Sequence, residues 1–260
     1  MSNELTTSSG RVFSVEYRDR IRDRVLELAE SDGRIVAGAV VGSLAFNEGD
    51  CWSDLDLTFG VTDDHSIFEV LEDWTRQIID TFDATHLFDL PSGASIYRVF
   101  LLPGCLQFDL SFTPASKFGA SGPKFRLLFG NAVEKPALQS QSIHELFGYA
   151  VHHALRARFC IERGLHWQAE YWISSIRDYA LAIACHRHNL PTSYGRGFDK
   201  LPPEILEPFK ISLVSSLKRD ELLRALKAAI DGLLRESVEV QELAAKVEPQ
   251  LRQLTLEWNS

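Results

Sequence analysis

The sequence has 260 residues, 45% hydrophobic and 24% charged, and a formal net charge of −9. This composition is typical of a globular protein with one large or two modest domains, and the acidic balance argues against general binding to nucleic acid. No apolar run is long enough to span a membrane, and the polar N-terminus has no signal-peptide core. The four cysteines show no metal-ligand spacing, so we expect reduced thiols in a cytoplasmic protein.

The first half of the chain alternates helix-type and strand-type apolar patterns. Two β-branched or alternating runs flank a Gly-Ser turn, and a Pro-Gly pair separates two later strand-like runs. We predict a helix at 17–30, strands at 35–41, 54–61 and 85–90, a helix after Ser66, and a hairpin formed by 96–102 and 105–113.

Two local patterns fix the expected faces of these elements. Ser66-x-x-Glu69 is a capping-box signature, which predicts a helix start at Ser66. The second arm of the hairpin alternates, so its apolar residues should share the core face and its polar residues the other. We expect the helix to bury Phe68, Leu71, Trp74, Ile78 and Phe82, and the hairpin arm to bury Leu106, Phe108, Leu110 and Phe112.

Strand patterns end in the stretch 129–142, which predicts a sheet-containing domain at 1–135 and a helical bundle at 136–260. The expected fold class is therefore α/β with a small mixed sheet, followed by an all-α domain. Pro249 should kink or split the last helix. The predicted helices are 144–163, 167–188, 203–217, 220–235 and 238–258.

The residues with catalytic potential lie around the first two strands and the hairpin. Gly42-Ser43 closes a strand and opens a short helix, where a glycine backbone and a hydroxyl can approach a phosphate. Asp54 and Asp56 share one face of a strand, and Asp109 lies on the polar face of a later one. If these strands are neighbours, three carboxylates gather beside the turn, as two-metal phosphoryl or nucleotidyl transfer requires.

Gly42-Ser43, ten residues, Asp54-x-Asp56 and a later strand Asp109 together resemble the nucleotidyltransferase superfamily of the DNA polymerase beta type. The resemblance implies that Gly42 and Ser43 hold the triphosphate of ATP or another nucleoside triphosphate. It also implies that Asp54, Asp56 and Asp109 bind two Mg²⁺ ions.

The chain length and the helical second half look like the bacterial aminoglycoside and lincosamide nucleotidyltransferases. This resemblance implies transfer of AMP to a hydroxyl of a small molecule, with release of pyrophosphate and a role in antibiotic resistance. We place Ser53, at the entry to the second strand, with the nucleotide-binding residues. Some such enzymes build the active site across a dimer, and this sequence leaves a homodimer open.

The helical half offers candidates for activating the acceptor and binding phosphate. Glu170, Ser174 and Arg177 are spaced i, i+4 and i+7, so they share a helix face. Glu170 is our candidate general base, with Asp109 as the alternative, although Glu170 and Arg177 could equally form an ion pair. Arg177, and Arg196 in a Gly-rich loop, are candidate triphosphate ligands; a plain connecting loop is the alternative for Arg196.

Two other functions remain open at this point. Small nucleotidyltransferase domains also act as antitoxins that adenylylate a partner protein, but Arg177 and His186 are too far apart for the motif of the RNases they modify. The other alternative is a nucleotide-binding protein without turnover. Asp63 and Asp64 are interpreted as a solvated turn. Asp89, on another strand, is interpreted as an ordinary surface residue, and a fourth acidic group is the alternative.

Overall fold

The computed structural model describes residues 13–46, 49–120, 122, 124–136 and 141–256. The chain separates into two compact units, Met1–Leu138 and Gln139–Ser260. Each unit has its own hydrophobic core. The first contains a mixed sheet with helices and the second contains helices, which confirms the predicted fold class.

The helices and strands of the first unit follow the predicted order. A 3-10 helix, Gly42–Phe46, lies where the sequence predicts a short helix after the Gly-Ser turn. The bounds are α1 Val15–Ser31, β1 Ile35–Val41, β2 Leu55–Val61, α2 Ile67–Phe82, β3 Thr85–Ser92, β4 Ser95–Leu102, β5 Leu106–Pro114 and β6 Phe125–Phe129.

In the described part of this unit, six strands form one sheet in the order β3-β4-β5-β2-β1-β6. Strands β2 and β5 are parallel, and the other neighbouring pairs are antiparallel. The parallel pair places Asp56 directly opposite Asp109. Edge strand β6 is absent from the sequence-based prediction because its five residues are half-buried or exposed without a clean alternation.

One face of this sheet is covered by α1 and α2 and forms the core of the unit. The predicted alternation of β5 is confirmed, since its four apolar side chains are completely buried. Trp74 of α2 packs against Phe59 and Phe112, with ring centroids 5.4 Å from each. The aromatic contacts and buried aliphatic side chains therefore hold β2 and β5 in a fixed register against α2.

Helix α2 starts after Ser66 as predicted, but the capping bond and the burial of Phe68 are not found. Ser66 occupies the N-cap position, but its side chain makes no capping hydrogen bond. Phe68 is 68% exposed, because it lies in the first turn of α2 ahead of the residues that pack on the sheet. Leu71, Trp74 and Ile78 are fully buried as predicted.

The second unit is built from α3 Ile143–Glu162, α4 His166–Arg187, α5 Pro203–Lys210, α6 Arg219–Glu236 and α7 Gln241–Gln253. Helices α3, α4 and α6 contribute most of its core. In the described part of the chain, no helix combines the length and apolar character that crossing a membrane requires.

Two helices of this unit are shorter than the sequence predicts. Helix α5 ends at Lys210, where the Ser212 hydroxyl donates to the Phe209 carbonyl and Arg224 donates to the carbonyls of Ile211 and Leu213. Because these partners satisfy the carbonyls, the chain can leave the helix there. Helix α7 begins only at Gln241 and continues through Pro249, so of the two predicted outcomes, a kink or a split, the split does not occur.

Candidate active site

The three predicted carboxylates meet on one face of the sheet, which we call the polar face: the face that bears Asp54, Asp56 and Asp109. Each of these residues offers a carboxylate oxygen, and the three oxygens lie within 4.8 Å of one another. Asp56 and Asp109 are brought together by the parallel pairing of β2 and β5, and Asp54 precedes Asp56 by two residues. All three are half-buried, so a ligand can still reach them.

The Gly42-Ser43 turn lies directly against this cluster. Gly42 has a φ of +70°, and a Cβ atom at this position would overlap Oδ2 of Asp56. A glycine is therefore required both by the backbone conformation and by the close approach of the carboxylate. The Gly42 N–H donates to the Lys124 carbonyl over 3.2 Å, whereas Ser43 is half-buried in the first turn of the 3-10 helix.

The turn that leads into β2 is fixed by side-chain hydrogen bonds. The Ser53 hydroxyl donates to Asp50 Oδ1 over 3.1 Å and accepts from the Asp50 N–H over 3.0 Å. The guanidinium of Arg18, 3% exposed on α1, donates to the carbonyls of Asp50 and Ser53 over 2.7 and 3.0 Å. These contacts set the backbone position immediately before Asp54 and occupy the Ser53 hydroxyl within the turn.

The carboxylates of the cluster repel one another, and this affects the pKa of Asp109. Burial raises the pKa of Asp109, and the negative charge of Asp54 raises it further, while a hydrogen bond from Gln107 acts in the opposite direction. Tyr97, on the neighbouring strand β4, has a pKa raised by burial and by the charge of Asp56. A cation at this position would relieve the repulsion.

The residues present fit a hard divalent cation. Three carboxylate oxygens lie within 4.8 Å of one another, and oxygen ligands of this kind are those preferred by Mg²⁺. Asp54, Asp56 and Asp109 are therefore the side chains that could hold magnesium in the first unit.

The helical unit contains a cavity of about 900 Å³, a size typical of small-molecule sites. Helix α4 contributes Tyr171, Ser175 and Asp178 to its wall. Burial raises the pKa of Asp178, an effect that the charge of Glu170 adds to and the neighbouring Arg177 opposes. The other lining residues are Gln141, Leu146, His153, Tyr179, Ala182, Thr192, Ser193, Tyr194, Gly195 and Phe198.

Aromatic contacts organise one wall of this cavity. The His153 ring lies 4.6 Å from Trp172 and 5.2 Å from Tyr179, centroid to centroid. Its buried Nδ1 makes no hydrogen bond within the described structure, and burial lowers the pKa of the ring. Tyr179 also stacks on Tyr149 at 5.7 Å.

The candidates predicted in the helical unit lie next to this cavity rather than along its wall. The Ser174 hydroxyl donates to Glu170 over 2.7 Å, so these two residues share a face as predicted. Arg177 approaches Asp178 at 3.5 Å. The face of α4 that lines the cavity is the one next to the predicted face, with each position shifted by one residue to 171, 175 and 178. The exposed Arg196 guanidinium lies over the Tyr194 ring at 5.3 Å.

Several residues that shape these sites, namely Ser175, Asp178 and Arg18, are missing from the sequence-based prediction. Tyr171, Ser175 and Asp178 repeat at i, i+4 and i+7, a signal as regular as the one found one residue earlier. Only the packing of α4 shows which of the two adjacent faces lines the cavity. Arg18 carries no such signal, because its contacts with Asp50 and Ser53 are distant in sequence.

No family model matches this chain, and no curated protein matches it. Among solved structures, the chain is similar to the crystal structure of an aminoglycoside 6-adenyltransferase from Bacillus subtilis. The two are 12% identical over 92% of this chain and 99% of the other, with a TM-score of 0.37. A likeness at this level assigns neither a family nor a substrate.

Proposed function

We propose that this protein is a magnesium-dependent nucleotidyltransferase of the DNA polymerase beta type, which transfers a nucleoside monophosphate, AMP from ATP, to a hydroxyl of a small molecule. The observation that carries the proposal is the carboxylate cluster of the polar face, packed against the Gly42-Ser43 turn. Like charges gathered in this way favour divalent cations, and the turn offers a place for phosphate.

In this proposal the first unit binds and orients the nucleotide. Asp54, Asp56 and Asp109 would hold two magnesium ions, and bound magnesium supplies charge neutralisation and Lewis acidity at phosphate oxygens. The Ser43 hydroxyl donates to a phosphate oxygen. The Asp50–Ser53 turn, held by Arg18, keeps the approach to Asp54 rigid. Arg177 and Arg196 remain candidate ligands of the triphosphate.

The reaction forms one bond and breaks one. The acceptor oxygen bonds to the α-phosphorus while the bond from that phosphorus to the pyrophosphate oxygen breaks, in line. The hydroxyl proton passes to a carboxylate. Glu170 is the first candidate for this base; Asp109, whose pKa is raised by burial, is the alternative. Positioning and charge stabilisation supply most of the rate.

The helical unit is proposed to bind the acceptor in its cavity. Tyr171, Tyr179 and Phe198 offer ring faces, and Asp178 offers a negative charge. An amino sugar matches this combination, because its ring carbons stack on aromatic faces and its ammonium groups pair with carboxylates. An aminoglycoside- or lincosamide-like antibiotic is therefore the acceptor class we propose, and antibiotic resistance the corresponding role.

The test combines the protein with magnesium, ATP labelled on the α-phosphate, and a panel of aminoglycosides and lincosamides. We expect a labelled adenylylated product and pyrophosphate, both dependent on magnesium and on Asp54. Binding of a non-hydrolysable ATP analogue is measured in parallel. Absence of product together with absence of magnesium-dependent nucleotide binding would refute the proposal.

A further inference from the structure

A second concave site lies on the polar face of the first unit. It is a cavity of about 130 Å³, room for about four water molecules. Hydroxyl and ammonium groups dominate the polar part of its lining. These groups belong to Thr58, Ser95, Tyr97, Thr113, Lys124 and Lys135.

The hydroxyl groups belong to the same sheet face as the carboxylate cluster. Thr58 follows Asp56 by two residues on β2, and Thr113 follows Asp109 by four residues on the neighbouring strand β5. Ser95 begins β4, the next strand of the sheet. Thr58, Ser95 and Thr113 are only 8%, 7% and 3% exposed. The Ser95 and Thr113 hydroxyls lie 2.7 Å apart. In this pair one hydroxyl donates to the other, which leaves the second hydroxyl its own hydrogen to offer to a ligand, so this floor is suited to a polar ligand with acceptor atoms.

The charges at this cavity are positive. Lys124 and Lys135 both line it, and among its described lining residues there is no carboxylate. Lys135 is half-buried, and this burial lowers the pKa of its ammonium group. The chain as a whole has a net charge of −9, so a cavity lined by two lysines and several hydroxyl groups is a local exception to its acidic character. Every charged or hydroxyl group named here can donate a hydrogen bond, so the matching ligand is an anion rich in acceptor oxygens.

The cavity adjoins the catalytic elements of the first unit. The Lys124 carbonyl accepts from the Gly42 N–H over 3.2 Å, so the lysine backbone is bonded to the Gly-Ser turn. Thr58 and Asp56 lie two residues apart on β2, about 6.6 Å along a strand. A triphosphate whose α-phosphate lies at the carboxylate cluster can reach the cavity with its terminal phosphates.

We propose that Lys135 and Lys124, with Thr58 and the hydroxyls beside it, form a binding site for the terminal phosphoryl groups of a polyphosphate: the nucleotide tail and then the released pyrophosphate. This inference rests on the proposed nucleotidyl transfer for its biological ligand. It adds phosphate-neutralising cations of the first unit itself to the candidates Arg177 and Arg196 of the helical unit.

The test is calorimetric titration of the full chain with inorganic pyrophosphate in the presence of magnesium. The variants are Lys135→Met, which removes one charge at the cavity, and Thr58→Val, which removes one hydroxyl at nearly constant volume. Lys117→Met is the matched control, because Lys117 is an exposed lysine outside the cavity lining. Thermal unfolding of each variant shows that it is folded.

We expect Lys135→Met to weaken pyrophosphate binding about tenfold or more, the effect of one charged hydrogen bond. Thr58→Val should weaken it by a smaller factor, and Lys117→Met should leave it within about twofold of the parent, the loss of a screened surface charge. ATP binding should weaken with Lys135→Met more than AMP binding does. Equal affinities for the Lys135→Met and Lys117→Met proteins, or no pyrophosphate binding by the parent, would overturn the inference.

The failure of this inference is distinguishable from failure of the proposed function. If adenylylated product forms and Lys135→Met leaves both the KM for ATP and the pyrophosphate affinity unchanged, the phosphate site is refuted and the transferase stands. If no acceptor is modified and magnesium-dependent binding of the ATP analogue is also absent, but pyrophosphate binding still depends on Lys135 and Thr58, the phosphate site stands and the transferase is refuted.

Discussion

The sheet of the first unit carries acidic side chains on both faces, and their pKa values are shifted in opposite directions on the two faces. On the helix-covered face, Asp89 receives two hydrogen bonds of 2.7 Å from the buried Arg98, which lower its pKa. On the polar face, Asp109 lies beside Asp54, and its pKa is raised. The fold neutralises one acid with an arginine and places the other among like charges, which is a difference expected between structural and ligand-binding carboxylates.

In the helical unit, two acidic side chains are paired with arginines, as Asp89 is in the first unit. Glu221 accepts hydrogen bonds from Arg224 and from Ser215, and these contacts lower its pKa strongly. Glu236, which is 3% exposed, is paired with Arg187. By contrast, one group of three acids among the described residues is arranged so that it could hold a metal: Asp54, Asp56 and Asp109.

The largest effect that distinguishes the carboxylate cluster from the arginine-paired acids is expected when one charge of the cluster is removed. Asp54→Asn should weaken magnesium binding and nucleotidyl transfer by more than about 100-fold, the upper range seen when only an outer-shell partner of a metal ligand is altered. Its thermal stability should be unchanged or higher, because a like charge beside Asp109 is gone. Calorimetry with magnesium, transfer assays and thermal unfolding measure the three effects.

Asp80→Asn is the matched control for this change, since it removes the same charge from the exposed side of α2. We expect that variant to bind magnesium as the parent does. A clear loss of stability in Asp54→Asn, with magnesium binding intact, would mean that the cluster is a structural feature rather than a metal site.

A paired carboxylate should show the opposite response. Asp32 follows α1 and accepts hydrogen bonds from the Arg34 side chain and from Trp74 Nε1, each 2.9 Å long. These contacts lower its pKa to about 2 from an ordinary value of 3.8. A shift of this size corresponds to about 2 kcal/mol of stability at neutral pH. Asp32→Asn should therefore reduce the free energy of unfolding by about that amount, as measured by urea denaturation.

The pH dependence of this effect has a defined sign. Since the folded state lowers the pKa of Asp32, the stabilisation is fully present above the ordinary value of 3.8 and is lost as the pH falls toward about 2. The stabilities of the parent and of Asp32→Asn should converge across that window. A difference that persists unchanged below pH 2 would contradict the ionic origin of the effect.

Asp89 gives a smaller effect because its side chain is 33% exposed. Asp89→Asn leaves the buried Arg98 with Glu72 and Thr75 as remaining partners. We expect a loss of about 1–2 kcal/mol, between the values for surface and buried ion pairs, and unchanged magnesium binding. Glu72→Gln is the control, since its 65% exposed carboxylate should contribute less. Equal losses for the two variants would remove the distinction between a buried and an exposed partner.

The polar face could be predicted from the sequence because a strand has a period of two. Once β2 and β5 are identified, alternation alone assigns Asp54, Asp56 and Asp109 to one side and the apolar residues to the other. The remaining requirement, that the two strands be neighbours, rests on a connection through α2, β3 and β4. No local signal specifies that pairing.

The helical unit could be predicted only at the level of its elements. A helix presents a new direction every 100°, so Glu170 and Tyr171 begin equally regular i, i+4, i+7 series on adjacent faces. Packing against α3 decides which series lines the cavity. Likewise, Lys124 and Lys135 lie on either side of β6, a strand that the sequence pattern does not predict. The phosphate site that we infer can therefore be recognised only from the structure, in which β6 pairs with β1.

The smallest expected effect concerns the N-termini of α2 and α3. One of these helices has the hydrogen bonds of a capping box between its serine and glutamate, and the other has no side-chain cap. Ser142 and Glu145 form the reciprocal hydrogen bonds of a capping box at the start of α3, whereas Ser66 makes no side-chain cap at the start of α2. Ser142→Ala should lower the free energy of unfolding by about 1 kcal/mol, and Ser66→Ala by close to zero. Both serines begin an S-x-x-E motif, so the pair separates what the motif predicts from what the folded helix uses. If the two alanine variants lose the same stability in urea denaturation, the hydrogen bonds around Ser142 contribute nothing beyond the residue's intrinsic preference for the N-cap position.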